Sequence, residues 1–360
     1  MKSIKLTKTS KRIVVVLLFS FSLHVNAAEF CVSSSTELQN ALSIASSNKQ
    51  DDVIKVTKGF FETRGTAFIY DGREEAGWDL DISGAWTDFF DYPCGRQLFG
   101  NPLATTLDGV LKNAVLVIKL RGRTNLKVSN LGFINGFKKT GGGGGLSVTR
   151  ETYNGSDKTF IENNAFIYNK AVFGAAVSTV GSSRKTYVRN NLFAANIASI
   201  SDTVEIIQQL KSDGIYFTNN TVIYNATGEG NKGRGGVYIL ASAEVLVANN
   251  ILLKNGTQDL WLDGSGDYYL KYNNVGDFGG NIPIANVGNF NLPPQFEPGI
   301  LNFIPSASSP MVNAGTQPCF VCTSPVPFDE FWRIGDRDLM GKNRVQNHKP
   351  DIGAYESAHK

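Results

Sequence analysis

An Asn-Asn pair recurs four times in the middle of this chain, always inside the same apolar frame. The copies read Ile161-Glu-Asn163-Asn164-Ala-Phe166, Val188-Arg-Asn190-Asn191-Leu-Phe193, Phe217-Thr-Asn219-Asn220-Thr-Val222 and Val247-Ala-Asn249-Asn250-Ile-Leu252. The first Asn returns at intervals of 27, 29 and 30 residues, and a further Asn follows it by six positions at Asn169, Asn196, Asn225 and Asn255. Short apolar runs with tight turns at such a period predict a solenoid of stacked coils. Asn130, in Val128-Ser-Asn130-Leu-Gly-Phe133, extends the column by one coil.

Strand alternation sorts the neighbouring columns. Val128, Ile161, Val188, Phe217 and Val247, two before the Asn, and Phe133, Phe166, Phe193, Val222 and Leu252, three after it, fall on the interior face. The residues just before the Asn (Ser129, Glu162, Arg189, Thr218, Ala248) are mixed and point outward. Glu162 and Arg189 then become neighbours on adjacent coils and read as an ion pair. The column Asn130, Asn163, Asn190, Asn219 and Asn249 reads as structural: Asn tolerates the left-handed conformation of a sharp turn, and stacked amides can hydrogen-bond along the axis.

The N-terminus reads as a secretory signal over residues 1–27. Lys2, Lys5, Lys8, Lys11 and Arg12 precede a short apolar stretch, and Val25-Asn26-Ala27 offers a cleavage site. The formal charge is +3. Removal of that segment leaves 30 basic and 32 acidic residues, a net of −2, so nothing points to nucleic acid as a partner. No second apolar run of membrane length follows. The expected location is secreted or in the cell envelope, where Cys31, Cys94, Cys319 and Cys322 would form disulfides. Three connectivities exist; Cys31–Cys94 with Cys319–Cys322 keeps each bridge within its own end of the chain.

Residues 28–52 read as an N-terminal cap. Ser34-Ser-Thr-Glu37 is a capping box, followed by Leu38, Ala41, Leu42 and Ala45 at helical spacing. Residues 53–280 read as the solenoid, with an inserted loop near 71–93, and residues 281–360 as an irregular C-terminal cap. The fold class expected is all-β: a single-stranded right-handed parallel β-helix with a helical N-terminal cap.

The Asn-column coils resemble the right-handed parallel β-helix proteins of the pectin-lyase-like class. Ser309-Pro310 with Asn313-Ala-Gly315, then Asp338 through Gly341 to Arg344, then Asp351-Ile-Gly-Ala-Tyr-Glu356, resemble the C-terminal signature of secreted bacterial β-helix proteins called choice-of-anchor Q proteins. Ile82-Ser-Gly-Ala-Trp86, Cys94 and Leu107-Asp-Gly109 are similar to that group's opening coils. The resemblance implies polysaccharide lyases and hydrolases as relatives, but a fold does not carry an activity.

The residues argue against hydrolysis. His occurs only at His24, His348 and His359, outside the coils, and no Asp-Asp pair lies within them. A lyase acting on uronate polymers needs less: a basic residue and a calcium ion held by carboxylates. Asp259, Asp263 and Asp267 around Trp261 are the local candidates for that metal. No cofactor is otherwise required. Phe160, Tyr187 and Tyr216 form an aromatic strip, and with Trp261 they are the candidate glycan contacts. The leading expectation is a non-catalytic exported protein that binds a polysaccharide or a cell-surface partner. The alternatives are the lyase and a purely structural, adhesin-like solenoid.

Overall fold

The computed structural model describes residues 27–72, 77–87, 94–121, 123–151, 157–181, 183–208, 214–228, 233–317 and 334–358. Three long parallel sheets run the length of the molecule. A ten-stranded sheet starts at Ala28–Val32 and ends at Ala285–Val287. An eight-stranded corner sheet runs from Gly59–Glu62 to Asn274–Val275, and an eight-stranded closing sheet from Phe68–Asp71 to Phe278–Gly280. A four-stranded sheet (Phe137–Gly142, Lys170–Phe173, Ile197–Ala198, Ala226–Thr227) fills the angle between the last two. Eight coils each contribute one strand to each long sheet, Ala28–Val32 and Ala285–Val287 belong to the ten-stranded sheet alone, and the pairings between coils are parallel. The expected solenoid is therefore present.

Both predicted interior columns are buried. Ile161, Val188, Phe217 and Val247 stack in register, as do Phe133, Phe166, Phe193 and Val222. Phe133, Phe166 and Phe193 lie face over face at 4.7 and 5.0 Å.

The two roles expected of one Asn are split between the members of each pair. The first Asn takes the left-handed turn, with φ of 56°, 57°, 55°, 55° and 56° at Asn130, Asn163, Asn190, Asn219 and Asn249. The second makes the ladder. Asn164 donates from N and Nδ2 to Asn191 Oδ1 (3.0 and 3.2 Å), and the pattern repeats through Asn220, Asn250, Asn273 and Asn289. The Asn six positions on builds a parallel ladder, Asn169 to Asn196 to Asn225 to Asn255. Each of these follows a second left-handed residue: Tyr168, Ala195, Tyr224 and Lys254. Side chains in that region cost about 1 kcal/mol or more, so the ladder bonds, rather than local preference, hold this corner.

Helix α1 (Ser35–Ala45) forms as expected. Ser34 accepts from Glu37 N, and Leu38, Ala41, Leu42 and Ala45 are buried. Its Gln39 covers an open edge: Nε2 donates to Ile69 O (3.1 Å) and Oε1 accepts from Ile69 N (2.9 Å), as a further strand would.

Two expected boundaries move. Leu80–Trp86, inside the interval read as an insertion, is a strand between Asp52–Thr57 and Leu126–Ser129, with a register shift near its end. The excursion instead leaves the coil after Trp86 and returns at Thr105–Asp108. Charged residues and glycines there mimicked a loop, yet Leu80 and Ile82 face the core. The strands also run on to Val287, past the expected end at 280.

Cys31–Cys94 is formed, with the two residues 63 apart in sequence. It ties the first strand to the returning excursion. Cys319 and Cys322 lie outside the described residues. Replacing Cys31 and Cys94 together with Ser is expected to lower stability by about 2–4 kcal/mol. Urea denaturation followed by tryptophan fluorescence reads this, and an unchanged midpoint would mean that the first coil is held by packing alone.

An outer layer comes from residues 303–317 and 334–358. It lies lengthwise along the corner as a strap. Phe303, Leu339, Ala354 and Tyr355 pack on Ala165, Ile167, Leu192, Ala194 and Ile223, while Met311 and Ile352 pack on Ile251 and Leu253. The first-Asn column is its rail. Asn163 Nδ2 donates to Asp338 O (3.0 Å), Asn190 Nδ2 to Ile334 O (2.8 Å) and Asn249 Nδ2 to Thr316 O (2.8 Å). Asn219, with its oxygen turned outward, accepts from Arg344 Nε at 3.1 Å.

Residues 338–344 and 351–356 form the knot that folds this strap. Arg344 donates to Asp351 O (2.8 Å) and pairs with Glu356 (3.3 Å). Asp338 accepts from the backbone of Lys342 and Glu356, and Asp351 from that of Asn313 and Ser357. Burial pushes the Glu356 carboxyl up to about 8, against the opposing pull of Arg344. The folded strap therefore holds this proton more tightly than the unfolded chain. That contribution is complete below the ordinary carboxylate range and is lost as pH rises through about 8. Hydrogen exchange of residues 334–358 should accelerate between about pH 5 and about pH 9 beyond the intrinsic rate, and a constant protection factor would refute it.

Candidate functional site

The aromatic strip exists but is roofed. Phe160, Tyr187 and Tyr216 stack at 4.7 Å spacings. Tyr187 is 9% and Tyr216 2% exposed, under Ile334 of the strap. These two tyrosines are not on the surface, so they offer no face to a glycan here. The sequence placed the strip correctly; what covers it comes from the other end of the chain.

Trp261 lies on the outer face of the closing sheet beside Tyr238. The guanidinium of Arg234 sits over both rings, 4.5 Å from the Tyr238 centroid and 5.1 Å from that of Trp261. Asp202 holds Arg234 in place through Nε (2.9 Å) and Nη2 (2.7 Å). Gly279 lies against the edge of Trp261, where a Cβ would come within 2.6 Å of the ring. Trp261 is thus packed on several sides.

Asp259, Asp263 and Asp267 do not converge on a cation. Asp259 is buried at the start of its strand. Its Oδ1 accepts from N and Nδ2 of Asn255 (both 2.9 Å) and its Oδ2 from Asp277 N (2.9 Å). It terminates the second ladder instead of sharing the outer face with Trp261. Burial raises its carboxyl above the usual range, and the bonds from Asp277 and Asn255 oppose that. Asp263 accepts from Tyr238 Oη and Gly264 N. This set does not fit calcium. Among the described residues no group of three or more His, Cys, Asp or Glu side chains is arranged to hold a metal.

A cleft of about 200 Å³ opens where the excursion and the strap approach each other over the ten-stranded sheet. Its floor is Lys127, Glu162 and Arg189, with Asn130 and Asn163 at the corner; its walls are Gln97 and Phe99 on one side and Gly335, Asp336 and Arg337 on the other. The coils stack these floor residues on consecutive strands. Glu162 and Arg189 form the expected ion pair: Arg189 reaches Glu162 Oε2 with Nε at 2.7 Å and Nη2 at 2.6 Å. Lys127 lies 3.4 Å from Asp81 and 3.9 Å from Glu162. Burial raises the Asp81 carboxyl and Lys127 opposes that. The Arg337 guanidinium stacks on Phe99 at 5.1 Å and donates to Gly341 O.

Of this cleft, the Glu162–Arg189 pair and the column positions Asn130 and Asn163 were legible beforehand. Gln97, Phe99 and Arg337 are far apart in sequence and carry no repeat signal. The apolar residues on both faces of the corner strands (Leu192 with Phe193, Ile251 with Leu252) were the available sign that something packs there. No helix among the described residues is long and apolar enough to cross a membrane. No family model, no curated protein and no solved structure matches this chain.

Proposed function

We propose that this chain is an exported, non-catalytic carbohydrate-binding protein built as a single-stranded right-handed β-helix of the pectin-lyase-like type, with a choice-of-anchor Q-like strap. A disulfide within the first coils is compatible with an oxidising, extracytoplasmic location. Right-handedness agrees with the strong preference of parallel crossovers. The observation that carries the binding reading is the cleft. It combines amide donors, carboxylate acceptors and an aromatic wall in one concavity, the chemistry that sugar hydroxyls and ring faces require.

The same geometry argues against a lyase. Arg189 and Lys127 are committed to carboxylates, so neither is placed to take a proton from a substrate carbon. The test is a glycan array probed with the mature protein, alongside a uronate-polymer panel assayed for unsaturated product with and without calcium. Glycan signal with flat absorbance supports the reading. Rising absorbance replaces it with the lyase, and silence in both leaves the structural solenoid.

A further inference from the structure

Resting on that reading, we infer that the cleft takes a neutral sugar, one ring at a time, and not an acidic one. Three cations (Lys127, Arg189, Arg337) face three carboxylates (Asp81, Glu162, Asp336) in and beside the cleft. Arg189 is forked onto Glu162, and Lys127 stands between Asp81 and Glu162. A uronate would have to compete with Glu162 for Arg189 and would meet Asp336 and Asp81 as like charges. A neutral polyol needs no such exchange. One hydroxyl can donate to Glu162, and its neighbour can accept from an amide.

Asn130 supplies that amide. It is the member of the rail column that the strap does not reach: Asn163, Asn190, Asn219 and Asn249 all engage strap atoms. Asn130 is 9% exposed and lines the cleft. Its side-chain amide has no hydrogen-bond partner among the described residues, whereas its backbone N–H is directed to Glu162 O. That amide opens on the cleft, where a ligand hydroxyl can reach it. Phe99, 46% exposed, gives the adjoining apolar wall. The cleft volume is below the usual range for drug-sized ligands, which limits occupancy to about one ring.

The experiment is calorimetric titration of the full mature chain with neutral oligosaccharides and with uronate oligosaccharides of matched length. Salt is varied from about 50 mM to about 500 mM, across which a charged contact weakens and a neutral one does not. Three variants accompany it: Asn130→Asp, which tolerates the left-handed turn, Phe99→Ala, and Trp261→Ala on the closing sheet. Neutral ligands should bind with little salt dependence, and Asn130→Asp and Phe99→Ala should each weaken them on the order of tenfold while Trp261→Ala does not. Preferential, salt-sensitive uronate binding overturns the neutral class and leaves the carbohydrate reading standing. Loss of binding only in Trp261→Ala overturns the location. No binding to either class, with the variants folded by circular dichroism, removes both this inference and the carbohydrate reading.

Discussion

Asn191→Ala is expected to lower stability by about 3–5 kcal/mol. Asn191 is fully buried at the middle of the first ladder. Its Oδ1 accepts from Asn164 N (3.0 Å) and Nδ2 (3.2 Å). Its Nδ2 donates to Ile161 O (2.8 Å) and Asn220 Oδ1 (3.0 Å). Truncation leaves those groups facing a space closed to bulk water, and each buried orphan costs about 1–3 kcal/mol. Asn191→Asp is the sharper test. The carboxylate still accepts from Asn164 but turns an oxygen toward Ile161 O and Asn220 Oδ1 with no proton between them. It should therefore be no better than Ala at neutral pH. The readout is native-state hydrogen exchange of the flanking strands, since a solenoid can open one coil at a time. A loss below about 1 kcal/mol in both variants would mean that water repairs the gap.

Arg344→Met should release the strap while leaving the coils intact. Arg344 is 1% exposed and is the centre of the C-terminal knot, holding Asp351 O, Glu356 and the Asn219 amide together. Removing one partner of such a buried set costs about 3–5 kcal/mol. Arg344→Lys should not restore it, because a point charge cannot span three acceptors as the planar fork does. Limited proteolysis should cut between residues 334 and 358 while far-ultraviolet circular dichroism keeps its strand signal. Tyr187 and Tyr216 would then be uncovered, which quenching of tyrosine fluorescence can follow. Simultaneous melting of the whole molecule would show that strap and solenoid are one cooperative unit.

How much of this was readable in advance depended on whether the signal was periodic. Interior columns were legible because Val188 and Phe217, or Phe166 and Phe193, repeat at fixed offsets from the Asn. Helix α1 was legible from its cap and its spacing. The division of labour between Asn190 and Asn191 was not, because both are the same residue type and only φ separates them. The left-handed corner at Tyr168 and Tyr224 has no local signature at all, since those residues disfavour that conformation and only the adjacent ladder enforces it. Asp259, a candidate metal ligand by sequence, lies near the start of its strand, where the corner turns it toward Asn255. The cleft was beyond reach because two of its walls come from segments joined to the floor only by the fold.

The two ladders also bear on how such a chain can lengthen. Each Asn passes the same pair of bonds to the next coil, so a duplicated coil carrying both Asn would splice into the row without altering its neighbours. Asp259 accepts on both oxygens and donates no side-chain bond to a following coil. It acts as a stop mark for the second row, while the first continues to Asn289. Growth by coil duplication is thus compatible with the stretch between Asn164 and Asn255, while a coil added beyond Asp259 would extend the first row alone.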